Sequence, residues 1–341
     1  MPAMVDDPDT WFPTLLFANA ISIDSGSDIM TRYDEEFIVA VVIDSNNITA
    51  VLPAFSNGGY DHEYYLMGLS SVNGVRINGV EGLEFTNNNL DVTANKLVGI
   101  NPTVQALYVA AAEGLIDANN ISMIDTFTPV GKDVYLYAVQ LMYDDVKISN
   151  NNIDMLTTGG KEDMGAAYPI SAVDSEIEIV KNNLTTVSAG PNIGVYLPSD
   201  LGAPCDLTLS GNLIKITGLA TERYSGLVTG VEVQTGDVEI RDNDIYTYNI
   251  GEYSQDNFIY SISYAQKGRD SDFIIKDNNV IVDGHYTMSF YNVNDAQITD
   301  NYLVSNDLYG DESVEIKNGT DNVVKDNLPY DPNLTVSVDN I

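Results

Sequence analysis

"VKISNNNIDM", residues 146–155, sets two short apolar alternations on either side of three consecutive asparagines. Asparagine favours neither strand nor helix interiors, so one copy would mark an ordinary turn. The pattern returns. The frame apolar-x-x-Asn-x-apolar occurs as "IDSNNI" at 43, "FTNNNL" at 85, "IDANNI" at 116, "ISNNNI" at 148 and "IVKNNL" at 179. It continues as "LSGNLI" at 209, "IRDNDI" at 240, "IKDNNV" at 275 and "ITDNYL" at 298, and a last copy, "VKDNLP" at 324, ends in proline. The fixed asparagines are Asn46, Asn88, Asn119, Asn151, Asn182, Asn212, Asn243, Asn278, Asn301 and Asn327. Their separations are 42, 31, 32, 31, 30, 31, 35, 23 and 26 residues.

The flanks alternate with period two, as in "VEIRDNDIYTY" and "LTLSGNLIKIT", which is strand periodicity. A third apolar run precedes most copies, for example "VYLYAVQLM", "LVTGVEV" and "YTMSFYNV". "QALYVAAAEGL" at 105–115 has helical propensity, but the repeat phase assigns it to a strand. Three strands per repeat of about 31 residues predict an all-β solenoid, a single-stranded parallel β-helix of about ten coils. One coil cannot bury its own apolar face, whereas stacked coils make a continuous core. At about 4.8 Å per coil the rod is on the order of 50 Å long. The fixed asparagines then recur one strand spacing apart and are expected to form an internal ladder, because an amide both donates and accepts. Asn also tolerates the left-handed backbone of a sharp bend, and that role is assigned to the ladder residue itself.

Composition narrows the function. Fifty acidic and 15 basic residues give a net charge of −35, which disfavours nucleic acid and anionic membrane partners. No apolar run is long enough for membrane insertion. The acidic start "MPAMVDDPDTWFPTLLFANA" lacks a basic leader, so the expectation is a cytoplasmic chain or a piece of a longer exported one. The single cysteine, Cys205, rules out an intramolecular disulfide. Three segments are expected: 1–36 as an N-terminal cap or edge, 37–330 as the β-helix, and 331–341 as a closing strand or linker. The 42-residue spacing holds an insertion near "SNGGYDHEYYLMGLSSVNG", read as a long loop.

Site candidates are few. Asp242, Asp277, Asp300 and Asp326 precede the last four ladder residues, and stacked they form a carboxylate column that could hold calcium. The competing reading is turn chemistry, since Ser45, Asn87, Asn150 and Gly211 hold the same position earlier. "DSGSD" at 24–28 resembles half a calcium loop without its spacing. Glycosylation sequons begin at Asn47, Asn120, Asn183, Asn318 and Asn333, a number that chance supplies in a chain with 34 Asn. Tyr60, Tyr64, Tyr65, Tyr286 and Tyr291 could stack on sugar rings. A hydrolase would need paired carboxylates about 5–10 Å apart, and Asp144–Asp145 and Glu84 are examples that nothing in the sequence singles out. Arg241 is the nearest candidate for a lyase base, and His62 and His285 are the only histidines. No catalytic residue is assigned.

The phased frames resemble the right-handed parallel β-helix repeat of pectate-lyase-like proteins over about residues 37–330. Stretches such as "VKISNNNIDM" and "IEIVKNNLTTV" are similar to the adhesin-like surface proteins of methanogenic archaea. The resemblance implies right-handedness, extracellular display and binding to glycans or partner cells. The same family includes polysaccharide lyases and glycoside hydrolases. The expected function is therefore a non-catalytic surface module, a rigid stalk that binds a glycan or cell-surface partner without a cofactor, as a monomer or part of a multidomain chain. A carbohydrate-active enzyme is the alternative, and a purely structural spacer the third.

Overall fold

The computed structural model describes residues 16–24, 40–52, 70–94, 103–125, 134–157, 165–198, 205–219, 228–234, 236–250, 259–265, 272–283, 286–305, 314–328 and 337–339. Among these the chain is strand, turn and bend, with no helix. The strands build one sheet of nineteen strands and a second of nine, and neighbouring strands run parallel. This all-β arrangement of long parallel sheets is compatible with a parallel β-helix.

The local order repeats. Val134–Met142, Asp145–Ser149 and Asn152–Thr157 are followed by Gly165–Val173, Glu176–Val180 and Asn183–Ser188, each pairing with its counterpart one repeat away. The third strand of each trio belongs to the nine-stranded sheet, the first two to the larger one. In two repeats the first two strands run on as one, Ser70–Thr86 and Thr103–Asp117. The second of these contains "QALYVAAAEGL", so sheet phase overrides the helical propensity of its alanines. Ser70–Gly74, assigned to a loop by the sequence, begins the first of them instead, held by pairing to Leu16–Asp24 and Thr103–Asp117. The rest of that insertion, residues 56–69, lies outside the described residues.

The core follows from the repeat frame. The apolar residue three before each fixed Asn points inward, and Phe85, Ile116, Ile148, Ile179, Leu209, Ile240, Ile275 and Ile298 are fully buried. The residue two after does the same through Leu90, Ile121, Ile153, Leu184, Ile214, Ile245, Val280 and Leu303. One apolar cluster runs from Ile43 to Ile316. Each such side chain contributes about 2 kcal/mol by burial.

At the ends, Leu16–Asp24 pairs with Ser70–Thr86 from Leu16↔Ser70 to Asp24↔Asn78. This part of the expected cap is thus a strand of the sheet itself. At the other end, Ser337–Asp339 pairs with Val314–Lys317.

Candidate functional site

The ten repeat asparagines meet in one chain of hydrogen bonds. Asn119 Nδ2 donates to Asn151 Oδ1 at 2.9 Å and Asn151 Nδ2 to Asn182 Oδ1 at 2.9 Å. The series extends back to Asn46 and forward to Asn327. From Asn88 onward each Oδ1 also accepts the backbone N–H of the preceding ladder Asn, as Asn151 does from Asn119 at 2.9 Å. Each Nδ2 from Asn88 onward also reaches the carbonyl of the inward apolar residue one repeat back, as Asn151 does with Ile116 at 2.9 Å. The frame thus has a mechanism: the residue three before Asn supplies a buried side chain and an acceptor. From Asn88 to Asn301 the ladder residues are only 1–2% exposed. They leave no group free for a ligand.

The left-handed backbone lies one residue earlier than the sequence suggested. Ser45, Asn87, Ala118, Asn150, Lys181, Gly211, Asp242, Asp277, Asp300 and Asp326 have φ between 54° and 66°. No ladder asparagine does. The aspartates considered for calcium therefore occupy a strained bend, where Asp is tolerated because its side chain is short and polar. All four are exposed. Lys276 Nζ stands 3.5 Å from Asp277 and 3.9 Å from Asp300. Among the described residues no three His, Cys, Asp or Glu side chains gather closely enough to hold a metal ion. In "DSGSD" only Asp24 is described.

The structure separates the two acids at 144 and 145. Asp145 is exposed, but Asp144 is 3% exposed. Its Oδ1 accepts from the Ala112 N–H and its Oδ2 from the Met142 N–H, both at 2.6 Å. It pins the corner between first and second strands in two adjacent repeats. We expect Asp144→Ala, which strands both amides, to cost about 2–4 kcal/mol in denaturant unfolding. Glu84 is exposed, and Arg241 is held by Glu239 at 3.0 Å on the surface. Cys205 is buried, donates to the Ala172 carbonyl at 3.5 Å, and has its pKa pushed up to about 11 by burial. It is a packing residue and a poor nucleophile. His62 and His285 lie outside the described residues.

Three sequon asparagines share a second, outward column on the nine-stranded sheet. Asn89 donates to Asn47 at 2.8 Å, Asn152 to Asn120 at 2.9 Å and Asn183 to Asn152 at 2.6 Å. Asn47 and Asn120 are exposed acceptors in this column, and Asn318 is an exposed turn residue. Asn333 lies outside the described residues.

The richest chemistry lies on the outward face of the first strands. Tyr137 and Tyr168 stack with ring centroids 4.9 Å apart, and Tyr168 and Tyr196 at 5.0 Å. They form, with Tyr135, Ala166 and Ile193, a cluster separate from the interior core. Glu232 pairs in register with Tyr196 and accepts from Gln234 Nε2 at 3.3 Å. Burial raises the Glu232 pKa against the smaller effect of that hydrogen bond. Thr229, beside Ile193 in register, is fully buried, and its hydroxyl has no hydrogen-bond partner among the described residues. On the other flank, Gln105 bonds Gln140, and the Arg76 guanidinium lies 5.3 Å from the Tyr108 ring centroid. Burial raises the Tyr168 pKa first of all, with smaller contributions from the neighbouring tyrosines and Glu232. Tyr168 stays a neutral donor throughout the physiological range. The stack thus lines up three phenols, Tyr168 buried between its two neighbours and the Glu232 carboxyl next in register to Tyr196.

Of the tyrosines singled out by sequence, one has a described side chain. Tyr291 is 47% exposed, away from the stack. Tyr286 begins strand Tyr286–Tyr291, but its side chain lies outside the described residues, as do Tyr60, Tyr64 and Tyr65. A signal for the stack existed: Tyr137 and Tyr168 each stand 14 residues before a ladder asparagine, Asn151 and Asn182. No protein-family model, curated protein or solved structure matches the chain.

Proposed function

We propose that the chain is a right-handed parallel β-helix of about ten coils, of the pectate-lyase-like kind. In this reading it is a cell-surface, adhesin-like module that binds glycans. The observation that carries the reading is the Tyr137–Tyr168–Tyr196 stack running into Glu232 on one outward sheet face. A row of fixed donors and acceptors at strand spacing suits the repeating hydroxyls of an extended saccharide. The negative net charge and the carboxyl favour neutral over acidic glycans. A glycan array followed by calorimetry tests this. Tyr168→Phe combined with Tyr196→Phe keeps the stacked rings and removes two hydroxyls. It is expected to weaken binding about tenfold at an unchanged melting temperature. A chain that binds no glycan, or a double variant that binds as wild type does, defeats the reading.

The raised pKa of Glu232 also suits the general acid of a glycoside hydrolase. Such an enzyme needs a second carboxylate about 5–10 Å away. Along this column the next acid among the described residues is Glu315, reached through Ser263 and Ser289. That is three strand spacings, about 14 Å. Release of reducing ends or unsaturated products, abolished by Glu232→Gln, would make the enzyme the better reading.

Glu232 gives a pH test independent of ligand. Its folded pKa is raised, so its favourable contribution is complete below the unfolded value near 4.3 and is lost as pH rises through the folded value. Glu232→Gln is expected to raise the melting temperature by a few degrees at pH 7 and hardly at pH 4.

A further inference from the structure

We propose that copies of this chain stack head to tail, the Asn327 end of one copy seating on the Asn46 end of the next. This is independent of glycan binding and starts from the polarity of the asparagine chain. Every ladder residue gives its N–H and Nδ2 toward the C-terminal neighbour and offers its Oδ1 toward the N-terminal one. The series therefore ends on an acceptor, the Asn46 Oδ1, at one end and on the Asn327 backbone donor at the other. The two ends are complementary, and neither is complementary to itself. That makes the contact heterologous.

The flanking residues fit the same register. Aligning Asn327 with Asn46 sets Val324 beside Ile43, Val323 beside Val42 and Lys325 beside Asp44. Val324 is only partly covered by the core, where its interior counterparts Ile148 and Ile179 are fully buried. Val323 and Val42 are 44% and 62% exposed. Along this column, two before the ladder, acids lie at the first end (Asp44, Asp117) and bases at the other (Arg241, Lys276, Lys325). Asp44 stays ionised, its pKa lowered by hydrogen bonds from Asn87, Thr86 and Ser45. Its carboxylate has one acceptor site left for Lys325 of a second copy. Ser337–Asp339 occupies the edge of Val314–Lys317, where Leu16–Asp24 of the next copy would pair. The three pairs made by Ser337–Asp339 give way to as many as four along Val314–Lys317.

Sedimentation velocity over a concentration series tests the proposal with the full chain. The average mass of the wild type is expected to rise with concentration, and more so in added salt, which screens the repulsion between chains of charge −35. K325E and D44K each replace attraction with like-charge repulsion and are expected to raise the dissociation constant about fivefold. D44K/K325E restores the pair and returns the constant toward wild type. Circular dichroism checks that each variant is folded. A wild type that remains a single chain at every concentration overturns the proposal, as does association that neither single variant weakens.

Discussion

Asn151→Ala is expected to destabilise the protein by about 3–5 kcal/mol, whereas Asn150→Gly, one residue away, is expected to be neutral or mildly stabilising. Asn151 is 2% exposed, and its amide satisfies the Asn119 N–H and Nδ2, the Ile116 carbonyl and the Asn182 Oδ1. Alanine leaves all of these without that partner at a depth water does not reach, and each stranded group costs about 1–3 kcal/mol. Asn150 is exposed with φ of 54°, a conformation glycine adopts without strain. Its side chain gives up only the exposed hydrogen bond to Asp117 at 2.7 Å. Denaturant unfolding followed by circular dichroism measures the difference. Hydrogen exchange localises it, because the Asn119 amide should lose protection in Asn151→Ala alone. Equal effects of the two substitutions would show that the column carries no special share of the stability.

Gly114→Ala is expected to cost more than about 3 kcal/mol, and Gly211→Ala about 1 kcal/mol, although both glycines have positive φ. A Cβ on Gly114 would run into the backbone of Leu83 in the neighbouring strand. Here Thr103–Asp117 turns the corner between its two halves, and the pairing with Ser70–Thr86 shifts register between Val80 and Leu83. Relief would require parting two paired backbones, since no flexible side chain can move aside. Gly211 has φ of 66° but open surroundings, and an alanine Cβ there would meet Lys181 Cγ at 3.4 Å, ordinary contact with a flexible side chain. The same bend already holds Ala118 at φ 55°. Melting temperatures of the two variants, compared with wild type, check the ranking.

Much of the fold was legible because one residue type repeats its hydrogen-bonding duty at nearly constant spacing. Ile148, Asn151 and Ile153 announce their roles through their copies in other repeats, and the strand at 105–115 was found by phase against its own propensity. The left-handed residue was misplaced for a physical reason. Asn suits both a ladder and a left-handed bend, and in "SNNN" both are present, so composition cannot tell Asn150 from Asn151. The bends holding Ala118 and Lys181 show that the backbone there is imposed by the stack, not chosen by the side chain.

The outward chemistry was harder to read. Tyr137, Tyr168 and Tyr196 belong to strands reached through connections of unequal length, so the third breaks the 14-residue phase and stands 16 before Asn212. Asp144 looked like any other acid among fifty, because its function depends on two amides from different strands.

The repeat, its strand character and its buried apolar positions are readable from the residues alone, since these are periodic properties of a local pattern. Only folding settles which side chains face one another across neighbouring repeats: the stacked tyrosines, the shielded Glu232 and the pinned corner at Asp144. Those contacts join residues about thirty positions apart, and their strength depends on distance and burial, which only the folded stack fixes.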